Sequence, residues 1–216
     1  MKILVSGSTR VVAKAAEQFA DHVGHLVVPR NGNSIRSLVA TGLPWAIDNG
    51  AYTGFDARSF RRLLLKAVDQ PRLCWVVAPD VVGDARATIA LFRDWQPELA
   101  ASRFPVALAG QDGLEDLEVP YGAMDCLFVG GSTRWKLSLA AADLMVEAKR
   151  RGLRVHVGRV NSLRRLRMAY ERGADSVDGS SYSRWHHRTL TNRPDMSLTR
   201  HLNVLRCLER QPSLWP

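Results

Sequence analysis

The chain has 216 residues, 46% hydrophobic and 24% charged, the composition of a globular domain and not of a disordered or collagen-like chain. Lys and Arg number 30 against 21 Asp and Glu, for a formal charge of +9. No apolar run approaches the roughly 18 residues that span a bilayer.

The first apolar run, Ile3–Val5, is broken within a few residues by polar and charged groups, so no secretory signal is expected. Further runs rich in Val, Ile and Leu follow at Leu26–Val28, Trp45–Ile47, Trp75–Ala78, Val106–Ala109, Leu127–Val129, Arg154–Val157 and Ser176–Val177. Segments of helical period separate them. The spacing predicts helices over Val11–Val23, Ser34–Ala40, Ala85–Trp95, Leu114–Leu117 and Met196–Leu208. After Asp56, a helix N-cap by type, Phe60, Leu63, Leu64, Ala67 and Val68 share one face. After Thr133 the series Leu137, Ala140, Ala141, Leu144, Met145 and Ala148 does the same, and Leu163, Leu166 and Tyr170 follow Ser162. Eight strands alternating with helices predict a parallel sheet. An open doubly wound sheet is the alternative, but the count of eight favours a small, single-domain (β/α)₈ barrel of TIM type over residues 1–216.

Either architecture puts the functional site at the C-terminal strand ends. Those ends read Asp48-Asn49-Gly50, Pro79-Asp80, Gly110-Gln111-Asp112, Gly130-Gly131, Gly158-Arg159 and Asp178-Gly179. Three carboxylates, Asp48, Asp80 and Asp178, are therefore expected at one mouth. Acids gathered in a cleft repel one another, so their pKa values split, which suits acid–base or covalent carboxylate chemistry. Taken singly, Asp48 and Asp178 are equally good turn residues, and Asp84 reads as a helix N-cap. Gly130-Gly131-Ser132-Thr133 opens a helix and offers either free N–H groups to an anion or bare backbone to a flat ligand.

No P-loop or dinucleotide fingerprint is present. Cys74, Cys126 and Cys207 lie far apart, which predicts neither a disulfide framework nor a zinc cluster, and a reducing cytoplasmic setting is the default. His186-His187 has no further ligands at metal-binding spacing, so neither metal nor cofactor is expected. Charge is uneven: Lys149 to Arg210 holds 15 Lys/Arg against 5 Asp/Glu, and all but one of those cations are Arg. Arg grips phosphate through paired hydrogen bonds, so the basic half points to a polyanion, nucleic acid first. The stretch from Ser180 to Asp195 is long, basic and aromatic, and is a candidate functional loop.

In their order along the chain these motifs resemble the tRNA-guanine transglycosylase superfamily, (β/α)₈ barrels that exchange a nucleobase without breaking the strand. Ile47-Asp48-Asn49-Gly50-Ala51-Tyr52 is similar to its third-strand signature. Val77-Ala78-Pro79-Asp80, Ala109-Gly110-Gln111 and Val129-Gly130-Gly131 resemble its base-reading segments. Val155-His156-Val157-Gly158 through Asp175-Ser176-Val177-Asp178 resembles its late barrel ending. The likeness runs from about Pro44 to Arg184. It implies Asp178 as nucleophile and Asp48 as acid/base. Asp80, Gln111, Gly130, Gly131, Asn49 and Tyr52 would sit around the base, and Arg159, Arg184, Arg188 and Arg193 would hold phosphates. The tRNA enzymes are longer and carry a zinc site of three Cys and a His that this chain lacks. The resemblance therefore implies a compact relative acting on DNA, as in a phage base-modification system in the host cytoplasm. Its partners would be DNA, or alternatively tRNA, and a free modified base such as a 7-deazaguanine, without a membrane and with outer helices available for a homodimer. Two other classes remain open: a barrel enzyme acting on a small phosphorylated ligand, and a nucleic-acid-binding protein without catalysis.

Overall fold

The computed structural model describes residues 1–29, 34–180, 182 and 197–210. Eight strands close into a parallel barrel: β1 (Lys2–Val5), β2 (Val23–Val27), β3 (Trp45–Ile47), β4 (Leu73–Val77), β5 (Val106–Gly110), β6 (Cys126–Val129), β7 (Arg154–Val157) and β8 (Ser176–Asp178). Each pairs with its chain neighbours, and β8 returns to β1 in the register Ile3↔Val177 and Leu4↔Asp178. The expected (β/α)₈ barrel is the observed fold. Around it lie α1 (Thr9–Phe19), α2 (Ile35–Val39), α3 (Ala57–Ala67), α4 (Ala85–Ala101), α5 (Thr133–Lys136), α6 (Leu139–Arg150), α7 (Leu163–Glu171) and α8 (Leu198–Arg210). Among the described residues no helix is long and apolar enough to cross a membrane.

The strands read as continuous apolar runs because both of their faces are buried. One face, with Ile3, Val5, Ile47, Val76, Leu108, Val155, Val157 and Val177, packs under the helices. The other fills the barrel with Leu4, Leu26, Ala46, Trp75, Val77, Ala107, Ala109 and Cys126. The three alanines leave room for Trp75 and Phe128, whose rings meet edge to face at 5.7 Å. Side-chain caps start most helices: Asp56 accepts from Arg58 and Ser59, Asp84 from Ala87, and Ser162 from Arg165.

Some boundaries differ from the sequence expectation. Val23 is a strand residue, because pairing with Ile3 of β1 overrides the helical period that runs through it. The helix expected after Thr133 is two helices, since the Ser138 hydroxyl accepts from Ala141 N–H and begins α6 anew. The segment Leu114–Leu117 is a 3₁₀ turn over Leu114–Asp116. Helix α4 runs to Ala101, six residues beyond Trp95.

Candidate active site

The barrel pattern continues past the strand ends. Asp48 N–H bonds Val27 O at 2.8 Å, Gly130 N–H bonds Gly110 O at 2.9 Å, and Gly158 N–H bonds Val129 O at 3.1 Å. Each extends the ladder by one position, so the side-chain alternation of the strand carries through. Asp48 is two residues beyond Ala46, Gln111 two beyond Ala109, Gly130 two beyond Phe128, and Asp178 two beyond Ser176. All of them therefore face the same mouth. They line a cavity of about 80 Å³ with Asn49, Tyr52, Val77, Asp80, Val82, Phe128, Gly131, Gly158 and Arg159. Every site residue expected from the sequence that lies among the described residues is in that lining.

Asp48 accepts from Gly50 N–H at 2.7 Å, which is the turn role open to it from sequence. It does so while lining the cavity, so the turn and site readings hold together. Burial pushes its carboxyl up from 3.8 to about 7; the Gly50 hydrogen bond opposes this, and the charges of Asp178 and Asp80 add to it. Asn49 is buried and fully engaged: Nδ2 donates to Ala78 O and to Asp80 Oδ1, each at 2.8 Å, and Oδ1 accepts from Ala51 N–H. Burial also raises the Asp80 carboxyl, against the hydrogen bonds from Asn49 and Gln111. Gln111 donates to Asp80 Oδ2 at 2.6 Å and accepts from the N–H groups of Gly83 and Gly131. A Cβ at Gly130 would fall 2.9 Å from Gln111 Nε2 and 3.1 Å from Gly110 O, so a larger residue would push the Gln111 amide from its place beside Asp80.

Asp178 ends β8, three strands from β3 around the closed barrel. Its Oδ1 accepts from Arg159 N–H at 3.0 Å, and its Oδ2 lies 3.1 Å from His156 Nε2. Val160 N–H is also taken, by the Asp178 carbonyl. Those two N–H groups of the turn after β7 are therefore spent on Asp178. Below the rim, Lys136 is buried with Nζ on Gly158 O at 2.7 Å. Burial, and then the neighbouring Arg159 charge, bring its ammonium down to about 8.

Arg159 closes over this floor. Its backbone is left-handed, its guanidinium donates to Gly131 O, and its Cζ sits 4.6 Å from the Tyr52 ring centroid. Tyr52 is 69% exposed, so it is no part of the core. The anion reading of Gly130-Gly131-Ser132-Thr133 does not hold. Gly131 N–H is bonded to Gln111, and Ser132 N–H and hydroxyl both donate to the Asp112 carboxylate. An acidic side chain already occupies the helix start. Arg184, Arg188, Arg193 and His186-His187 lie outside the described residues, as does nearly all of the loop from Ser180 to Asp195.

Two residues of this neighbourhood were not singled out from sequence. His156 was legible in principle, as a polar residue two positions before Gly158 and so on the barrel-facing side of its strand. Lys136 carries no such signal, because a lysine in the first turn after Ser132 reads as solvent-facing. Among the described residues no group of three or more His, Cys, Asp or Glu is placed to hold a metal ion.

The fold has solved counterparts at low identity. One is in the crystal structure of the Amycolatopsis orientalis BexX/CysO complex, 17% identical over 100% of this chain and 94% of that one, with a TM-score of 0.55. Another is an HpcH/HpaI aldolase from Desulfitobacterium hafniense DCB-2, 12% identical over 99% of this chain and 94% of that one, with a TM-score of 0.51. At such identities the likeness concerns the barrel and not the chemistry. No family model and no curated protein sequence matches the chain.

Proposed function

We propose that this chain is an enzyme, a base-exchanging transglycosylase that acts on DNA through a covalent aspartyl–sugar intermediate. The observation that carries the reading is the pair Asp48 and Asp178. They face one cavity, and burial holds Asp48 at about 7, where it can both give and take a proton near neutrality.

The chemistry is that of glycoside cleavage, with an oxocarbenium-like sugar that a carboxylate can capture. Asp178 attacks C1′ as the bond to the base breaks, and protonated Asp48 supplies the proton that the leaving base takes. The incoming base then gives a proton to Asp48 and attacks C1′, releasing Asp178 as carboxylate. The target nucleotide has to leave the duplex stack to reach the mouth. Asp80, tied down by Asn49 and Gln111, presents a fixed polar edge to the base. Arg159, bridging Gly131 O and the Tyr52 ring, covers the entrance and would swing to a flanking phosphate when the base enters.

The test is nucleoside mass spectrometry of DNA incubated with the protein and free 7-deazaguanines. Incorporation of the added base into intact strands is the expected result. Release of no base and uptake of none, from DNA or from tRNA, would sink the reading.

A further inference from the structure

A second polar line runs inward from Asp178. His156 is fully buried, and its ring is flanked by Trp75 and Phe128, each with a centroid distance of 4.7 Å. Its Nε2 is 3.1 Å from Asp178 Oδ2, and its Nδ1 is 2.8 Å from Ser176 Oγ. Ser176 and Asp178 are two residues apart on β8, and Ser176 is the register partner of His156 on β7. Carboxylate, imidazole and hydroxyl thus stack from the mouth to the barrel interior.

We infer that His156 is a positioning residue that aims the Asp178 carboxylate into the mouth, with Ser176 holding the opposite ring nitrogen. The inference rests on the reading of Asp178 as nucleophile. A carboxylate only accepts hydrogen bonds, so the His156–Asp178 contact requires a proton on Nε2. The Ser176 hydroxyl, able to donate or accept, then donates into the unprotonated Nδ1 and holds the inner end of the ring. With Nε2–H on Oδ2 and Arg159 N–H on Oδ1, the carboxylate cannot turn about its own axis. The two rings beside His156 keep the imidazole from tilting. The order is the reverse of a hydrolase triad. Here the hydroxyl is at the buried end and the carboxylate at the open end, so Ser176 is not placed to attack a substrate.

The test has two arms. The first is ¹⁵N NMR of histidine-labelled protein. A proton on His156 Nε2 is expected in the wild type and in Ser176→Ala alike, since Asp178 sets it; protonation on Nδ1 alone in the wild type overturns the inference. The second is steady-state base exchange. His156→Leu should lower kcat by about 10²-fold, the scale of a misplaced reacting group, and leave KM unchanged, since His156 does not line the cavity. His156→Gln, whose amide can donate where Nε2 does, should recover most of that loss. Equal rates in the wild type and the Leu variant, or a loss confined to KM, overturn the assignment. Should the Leu variant not fold, Ser176→Ala takes its place, with a several-fold loss of kcat expected and an unchanged kcat counting against the inference. A wild type that exchanges no base removes the transglycosylase reading, and the ring-proton measurement still decides whether His156 holds Asp178 as inferred.

Discussion

Gln111 Nε2 donates to Asp80 Oδ2 over 2.6 Å, and the other end of the same amide accepts from two backbone N–H groups, those of Gly83 and Gly131. One side chain thereby joins the loops after β4 and β6 and fixes the acid between them. Gln111 also lines the mouth, where the resemblance expects it to meet a base edge, and its amide nitrogen carries two hydrogens, of which Asp80 takes one. It also fixes the placement of Asp80 and Gly131.

Replacing Gln111 by Leu should therefore act first on stability. It leaves two buried or half-buried N–H groups without an acceptor, at a cost of about 1–3 kcal/mol for each group that water does not reach. Urea unfolding of the two proteins measures the difference. A midpoint within error of the wild type would mean that solvent takes over both bonds.

Asp48 makes a pH-dependent prediction. Its folded pKa of about 7 lies above the ordinary 3.8. Between those values the folded protein keeps a proton that the unfolded chain has released, so stability falls as pH rises through the window. Asp48→Asn keeps the acceptor for Gly50 N–H and removes the charge. The variant should match the wild type below about pH 4, gain on it up to about pH 7 and level off above that, by on the order of 1–3 kcal/mol, since the mouth is partly solvated. A difference in unfolding free energy that is flat with pH would show that Asp48 ionises normally.

The barrel and most of this site were legible because period and position carry them. Strand ends could be read directly, and the side-chain alternation then places Asp48, Gln111, Gly130 and Asp178 on one surface. What could not be read is how the polar groups spend their hydrogen bonds. Nothing in Gly130-Gly131-Ser132-Thr133 shows that Asp112, twenty residues earlier, reaches Ser132. Nothing around Lys136 shows that α5 ends by turning its ammonium onto Gly158 O. These are contacts between neighbouring βα loops, fixed by barrel closure and not by local propensity. Val23 failed for the same reason, as its helical phase lost to pairing with β1.

The basic half predicts salt-dependent binding. If it tracks a phosphate backbone, the logarithm of duplex affinity should fall with the logarithm of salt, with a slope of about −0.9 per neutralised phosphate. Arg184→Ala with Arg188→Ala should flatten that slope by up to about 2. Titrations of labelled DNA at several salt concentrations measure it. An unchanged slope moves the contact to other cations of the chain, with the outer face of α7, which carries Arg164 and Arg167, the next to be replaced.

The proposed chemistry makes a sharper prediction about a covalent bond. A carboxylate nucleophile forms a sugar ester that persists when no acceptor base is present, and exchange should be ping-pong. Wild-type protein mixed with DNA and quenched in denaturant should run as a protein–DNA adduct. Asp178→Asn keeps a hydrogen-bonding oxygen for Arg159 N–H but removes the charge that attacks C1′, so the adduct should vanish while DNA binding stays roughly intact. Asp48→Asn removes proton transfer and not bond formation. Loss of such general acid–base assistance costs about 10²–10⁴-fold, so the adduct should still form, slowly. If Asp178→Asn traps DNA as the wild type does, the nucleophile is another group. If Asp48→Asn alone abolishes trapping, the two carboxylates have exchanged roles: the one lining the cavity from β3 attacks the sugar, and the one ending β8 handles the proton.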